Sequence, residues 1–258
     1  NAIKGLGFFL GGALLAVFGF EGAVLGMACA LGFLLTLVVW RMPPGLPSGM
    51  KGAKFSAVFS TSEAVNWLSL ARVFLFSARD VWFVVGVPLY FYGVWSDGSD
   101  AGNKAAFFMI GSFMALWVIG YGIVQGSAPK ILARLPVQSA FALAMLLAFV
   151  PLILAIVLWL SSSTVTPFVV IGLFVFGFGF ALNSALHSFL ILSFSTDARV
   201  SMDVGFYYMA NAAGRLLGTL LSGVAYQASG LELCLLIASL MLFLSAAVAR
   251  RLPQSGVA

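Results

Sequence analysis

Four ionisable side chains stand in stretches of this chain that are otherwise too apolar to hold them. Arg215 falls in the middle of Asp203–Gln227, DVGFYYMANAAGRLLGTLLSGVAYQ, a run long enough to cross a bilayer. Arg79 and Asp80 are neighbours inside FLFSARDVWFVVGVP, and Lys4 opens the first apolar run. A charge at the centre of a membrane helix costs about 2.5–3.5 kcal/mol on insertion scales, so its default place is a cavity or an ion pair. Three cations, Lys4, Arg79 and Arg215, against the one carboxylate of Asp80 make a net positive site. A guanidinium presents a planar fork of N–H donors that holds a phosphate-like oxyanion bidentately, and low dielectric strengthens the attraction. The expected ligand is an anion carrying phosphate, arsenate or several carboxylates. A site for lipophilic cations would need the reverse, an unpaired carboxylate without surplus arginines.

The elements that position these groups follow from spacing. Tyr208, Asn211, Arg215 and Thr219 recur at three- and four-residue steps, which places them on one helix face. Beside them Ala210, Gly214, Gly218 and Ser222 recur every fourth residue, a small-residue stripe that lets two membrane helices pack closely. The helix therefore carries a packing edge and a polar edge, and we expect it to line a cavity. Arg79 and Asp80 point about 100° apart on a helix and are not expected to face each other. Each then needs its own partner: an ion pair between helices, such as Arg79 or Arg215 with Asp80, or a substrate or coupling role. Arg72 is expected to snorkel to the basic face. Asn183 and His187 are spaced i,i+4, and His187 is the only histidine. It reads either as a neutral hydrogen-bonded helix residue or as a proton-responsive group. Asp80 and His187 are thus the proton-coupling candidates. Trp117, Tyr121 and Gln125 share a face that is either cavity wall or interfacial aromatic belt. Phe176–Phe180, FGFGF, reads as a packing point and not a nucleotide loop.

Composition sets the class. With 62% hydrophobic and 8% charged residues and a mean hydropathy of +1.10, an ordinary soluble domain is excluded. The apolar runs are long and continuous, so the expected class is all-α polytopic membrane protein and not β-barrel. Cys29 and Cys234 lie in separate apolar runs and fit no metal or redox spacing, and no cofactor is expected. The segments fall near 1–20, 22–40, 66–94, 105–124, 137–160, 167–194, 203–228 and 232–249. Arg41, Lys51, Lys54, Lys130, Arg134, Arg250 and Arg251 occupy alternate connections. Glu21, Asp97 and Asp100 with Lys104, and Glu232 occupy the others, and the one neutral case is Asp197 with Arg199 on the basic side. The basic side, and with it the C-terminus, is expected in the cytoplasm.

The connection RMPPGLPSGMKGAKFSAVFSTS, Arg41–Ser62, reads as a cytoplasmic linker. It divides the chain into 1–41, a linker 42–62, a six-helix bundle 63–252 and a tail 253–258. Lys4–Glu21, laid under Arg215–Glu232, matches Lys4 to Arg215, Gly7 to Gly218, Gly12 to Gly223, Gly19 to Gly230 and Glu21 to Glu232. That faint repeat implies that the first two segments correspond to the last two. It also places Lys4 near the membrane middle, with four helices and the start of a fifth expected ahead of Asn1. Lys4 before an apolar run imitates a signal peptide, but the repeat explains it better.

Two six-helix bundles joined by a basic linker resemble the major facilitator superfamily, of which this chain would be helices five to twelve. Gln125–Pro136, QGSAPKILARLP, resembles that family's cytoplasmic loop but departs from its fuller form. Asn1–Gly12 (NAIKGLGFFLGG), Arg79–Pro88 (RDVWFVVGVP) and Val204–Gly223 are similar to the organoarsenical efflux permease family, ArsJ, of bacterial arsenic-resistance operons. The resemblance implies export of 1-arseno-3-phosphoglycerate, made from arsenate by a partner glyceraldehyde-3-phosphate dehydrogenase. It further implies a monomer in the bacterial inner membrane that handles a small anion and no nucleic acid.

On that reading Arg79, Arg215 and Lys4 clamp the anion, and Asn183, Tyr208, Asn211 and Thr219 add hydrogen bonds. The alternatives are an exporter of another organic anion or drug, or a non-transporting sensor or assembly subunit. An enzyme is disfavoured, since one histidine and two unpatterned cysteines supply no nucleophile–base pair.

Overall fold

The computed structural model describes residues 2–43, 60–132, 136–161, 165–196 and 199–253. Most of the expected linker and the tail beyond 253 lie outside the described residues. The described chain is all helical: α1 (Ala2–Arg41), α2 (Glu63–Phe83), α3 (Gly86–Trp95), α4 (Asp100–Leu132), α5 (Ser139–Leu160), α6 (Thr166–Phe194) and α7 (Val200–Ala249). Five of these, α1 and α4 to α7, are long and apolar enough to cross a membrane. Outward-facing residues such as Trp159, 81% exposed, are as apolar as the core, the reverse of a water-soluble surface. The architecture is that expected of a protein embedded in a membrane.

Three breaks interrupt the long runs. The run 66–94, expected as one helix, is broken at Val84–Val85 into α2 and α3. Pro88 explains the position: it has no amide to bond the carbonyl of Val84, and its ring crowds that carbonyl. Ser222 Oγ repairs the break by accepting from the amides of Val85 and Gly86, each at 3.3 Å. Within α1 the helix is interrupted at Gly19 (φ 68°), and within α7 at Ser229 and Gly230 (φ 69°). Both glycines occupy the left-handed region that side chains resist.

After Gly230 the chain doubles back. Twelve residues of unbroken helix would separate Ser222 from Cys234 by about 18 Å, yet Cys234 Sγ lies 3.7 Å from the carbonyl of Ser222. The returning half binds α2 through Ser245 Oγ, which donates to Ala71 O at 2.9 Å. It binds α5 through Ser239 Oγ, which donates to Ala148 O at 2.9 Å.

The small-residue stripe does what its spacing predicts. Ala210, Gly214, Gly218 and Ser222 are all buried, and the stripe lies on α2. A Cβ at Gly214 would strike the backbone of Val73, and one at Gly218 would stand 2.6 Å from Ser77 O. A second close crossing joins α1 to α4, where a Cβ on Gly12 would come within 2.8 Å of Gly111 Cα. The core between α2, α4 and α6 is aromatic: Trp82 packs edge-on against Phe176 at 5.1 Å and against Trp117 at 5.6 Å. Gly177, inside FGFGF, leaves room for the Trp117 indole, as the reading of a packing point expects.

The ends are tied by local chemistry. Ser62 caps α2 by accepting from Val65 N at 3.4 Å. Ser60 Oγ donates to Asp203 Oδ1 at 2.8 Å and joins the start of α2 to that of α7. In the α3–α4 turn Ser99 donates to Asp97 Oδ1 through its hydroxyl at 2.6 Å and its amide at 2.9 Å. Those two donors hold the exposed Asp97 carboxyl below its ordinary range.

Candidate functional site

A cavity of about 730 Å³ opens between α1, α2, α3, α4 and the first half of α7. On α1, Gly7 and Gly11 leave open space on this side, while Gly12 and Gly111 line the cavity where α1 and α4 cross. Most of the remaining wall is aromatic or aliphatic, including Phe8, Phe83, Phe107, Met114 and Trp117. Three charged side chains interrupt it: Arg79, Asp80 and Arg215.

These three form one cluster. Asp80 is 1% exposed, and both of its carboxylate oxygens are engaged. Arg79 donates to Oδ1 through Nε and Nη2, and Arg215 Nε donates to Oδ2 at 3.1 Å. The expectation that Arg79 and Asp80 do not face each other is corrected here. The 100° between neighbouring residues describes where Cβ points, whereas three methylenes let a guanidinium fold back to the next residue. The second half of the expected ion pair, Arg215 with Asp80, is also present. Arg79 is held further by the rings of Phe76, Phe83 and Phe180, at 5.2, 5.8 and 5.5 Å from its guanidinium carbon. Its side chain is 14% exposed and that of Arg215 is 52% exposed, so both can meet a solute in the cavity. Two guanidiniums and one carboxylate leave the described lining at +1. The Lys4 side chain lies outside the described residues, although the helix that carries it contributes cavity wall.

The other candidates are placed differently. Of the polar edge of α7, only Arg215 lines this cavity. Tyr208 is exposed and stacks edge-on against Tyr207, Thr219 is half-buried, and Asn211 accepts from Arg72 at 3.2 Å. Asn183 and His187 are buried in α6, away from the lining. Asn183 Nδ2 donates to Gly179 O at 3.1 Å. Neither ring nitrogen of His187 has a hydrogen-bond partner among the described residues, so the hydrogen bond expected of a neutral helix histidine is not made. Trp117 and Tyr121 are cavity wall and not a surface belt, whereas Gln125 is not part of the lining. Trp117 Nε1 donates to Leu173 O at 2.7 Å and Tyr121 to Ser184 Oγ at 3.2 Å, which fixes that wall to α6.

Arg72 reverses its expectation. Instead of snorkelling it is 4% exposed, lodged where α2, α6 and α7 meet. Its Nη1 donates to Ser184 O at 3.1 Å and its Nε to Asn211 Oδ1. The rings of Phe76 and Tyr207 lie 4.0 and 4.7 Å from its guanidinium carbon. Carbonyl, amide and two π-faces replace the water it was expected to seek. One signal pointed here: Arg72 is seven residues, two helical turns, before Arg79 and so shares its face. The glycine face of α1 was equally legible in the spacing of Gly7, Gly11 and Gly12.

No family model, curated protein or solved structure matches this chain. The chemistry of the cavity is that of a charged clamp in an apolar vestibule: it can hold an anion through guanidinium N–H groups that Asp80 leaves open.

Proposed function

We propose that this chain is part of a transporter of the major facilitator type that exports a polyanionic organoarsenical, 1-arseno-3-phosphoglycerate, by alternating access and so confers arsenate resistance. Counting the breaks at Gly19 and Gly230 as turns between spans, and α2 with α3 as one interrupted span, gives eight membrane helices, read as helices five to twelve. On this reading the protein sits in the bacterial inner membrane, and the basic connections support a C-terminus in the cytoplasm. The observation that carries the reading is the pair of arginines converging on Asp80 in the wall of a cavity of about 730 Å³. An inside-negative potential favours outward movement of an anion, so the export step needs no other drive.

A second reading has an observation of its own. Because the wall apart from the three charges is mainly aromatic and aliphatic, an amphiphilic organic anion or drug also suits the cavity. The test is arsenate tolerance in cells that coexpress the full-length protein and the dehydrogenase. Tolerance should fall to that of cells lacking the transporter when Arg79 or Arg215 is replaced by Ala at equal protein level. Tolerance that survives both substitutions sinks the clamp. Competition by amphiphilic anions, with none by 3-phosphoglycerate, would select the second reading.

A further inference from the structure

We infer that the end of α5 and the chain reversal in α7 form a site for the headgroup of a membrane lipid that carries a primary ammonium. The site is separate from the charged clamp and does not depend on the anion reading. A second cavity, of about 240 Å³, lies between Ile156 and Trp159 of α5 and Ser229, Glu232, Leu233 and Leu236 of α7. It sits at the tip of two apolar runs, since α5 ends at Leu160 and α7 reverses at Ser229–Gly230. Trp159, Ile156 and Leu236 are exposed on the apolar outer wall. A tryptophan at the tip of a span stands at the level of lipid headgroups.

One carboxylate stands in this apolar cup. Glu232 is half-buried and takes part in no ion pair among the described residues. The reversal gives the carboxylate its place: a Cβ on Gly230 would come within 2.7 Å of Glu232 Oε2, so the oxygen lies over the bare face of the glycine. A carboxylate partly withdrawn from water needs a partner. Beside it stands an indole, the ring whose face attracts cations best. A cation that reaches this wall together with apolar chains is a lipid headgroup. Hydrogen bonding then selects the kind of headgroup. A primary ammonium brings three N–H donors for Glu232 and Ser229, whereas a quaternary ammonium brings none. Quaternary groups are held by cages of several rings, and Trp159 is the one aromatic residue in this lining. The cavity takes the headgroup, and the acyl chains lie along the exposed Ile156 and Leu236.

The chain carries its own control. Glu21 follows Gly19 as Glu232 follows Gly230, and the two glycines have φ of 68° and 69°. Glu21 is exposed and lies outside this cavity, so it shares the reversal and the charge but not the indole.

The experiment gives the delipidated full-length protein in detergent an equimolar mixture of phosphatidylethanolamine and phosphatidylcholine with identical acyl chains. Native mass spectrometry then identifies the last lipid retained. The ethanolamine lipid should be retained about fivefold over the choline lipid, which is what one interfacial ion pair supplies. Glu232→Gln should bring the ratio close to one, and Glu21→Gln should leave it unchanged. Equal retention of the two lipids by the wild type overturns the inference. A preference that survives Glu232→Gln, or one that Glu21→Gln abolishes as fully, overturns it as well. Displacement of the lipid by water-soluble ethanolamine at equal concentration would remove the lipid as occupant. Should Glu232→Gln fail to fold, the wild type is compared across the mono- and dimethylated ethanolamine lipids, which keep the charge and lose N–H donors one at a time. Retention that falls stepwise supports the site, and retention that does not change refutes it.

Discussion

Replacing Gly218 with Ala tests the link between helix packing and the charged cluster. The new Cβ would sit 2.6 Å from Ser77 O, 3.0 Å from Ser77 Cα and 3.0 Å from Asp80 Cβ. Two of those three atoms are backbone, so no side chain can swing clear and α2 must move away from α7. Relaxing 2.6 Å to an ordinary contact near 3.4 Å opens the interface by 3.4 − 2.6 = 0.8 Å. The same shift applied to the Arg215–Asp80 contact would carry it from 3.1 to 3.9 Å, past hydrogen-bonding distance. Overpacking of this kind costs about 1–3 kcal/mol, against which the better helix propensity of Ala returns up to about 1 kcal/mol. The net expectation is a protein destabilised by about 0.5–2 kcal/mol that also binds anions more weakly. Gly223 supplies the control, since a Cβ there meets nothing within 4 Å, and Gly223→Ala should be neutral or stabilising. The assay is thermal unfolding of the purified full-length protein in detergent, followed by sulfate titration. If Gly218→Ala and Gly223→Ala unfold at the same temperature and bind sulfate alike, the backbone-to-backbone packing of α7 on α2 is wrong.

Other substitutions separate the remaining parts of the account. Arg72→Ala should destabilise by about 1–3 kcal/mol, because it strips a donor from Ser184 O and Asn211 and leaves a void between two rings. Arg72→Met, which fills the same space without a charge to desolvate, should cost less, as the two unfolding temperatures would show. Ser222→Ala should lower stability by about 1–3 kcal/mol through the two amides it orphans at the α2–α3 break, read as a shift in thermal midpoint. Ser99→Ala should raise the titration point of Asp97 toward the ordinary aspartate value. Because that carboxyl is depressed in the folded state, its stabilising contribution is present above the ordinary value of 3.8 and fades as pH falls through the folded one. Side-chain NMR of Asp97 across acid pH tracks the change.

Much of this arrangement was written in the residues. The spacing of Ala210, Gly214, Gly218 and Ser222 identified a packing edge because small residues at every fourth position let membrane helices approach closely. Arg215 in mid-run announced a site because its burial is costly, and Arg79 and Asp80 did the same. What the sequence left open was how far side chains reach. Whether Arg79 folds back onto Asp80, or Arg72 turns inward to Ser184 and Asn211, depends on several torsions per side chain and on neighbours from three helices. Periodicity resolves the direction of a Cβ and nothing beyond it. The same limit explains Tyr208, Asn211 and Thr219, which share a face with Arg215 but not its cavity. The break at Val84–Val85 was missed, since 66–94 reads as one apolar run although it holds Pro88, and its repair by Ser222, 137 residues away, leaves no trace in local spacing.

The most direct test of the central claim is flux. Inside-out vesicles bearing the full-length protein should accumulate 1-arseno-3-phosphoglycerate generated outside them by the dehydrogenase, and vesicles bearing Arg215→Ala should not. Equal accumulation with and without the transporter, or undiminished accumulation by Arg215→Ala at matched protein level, would contradict the account.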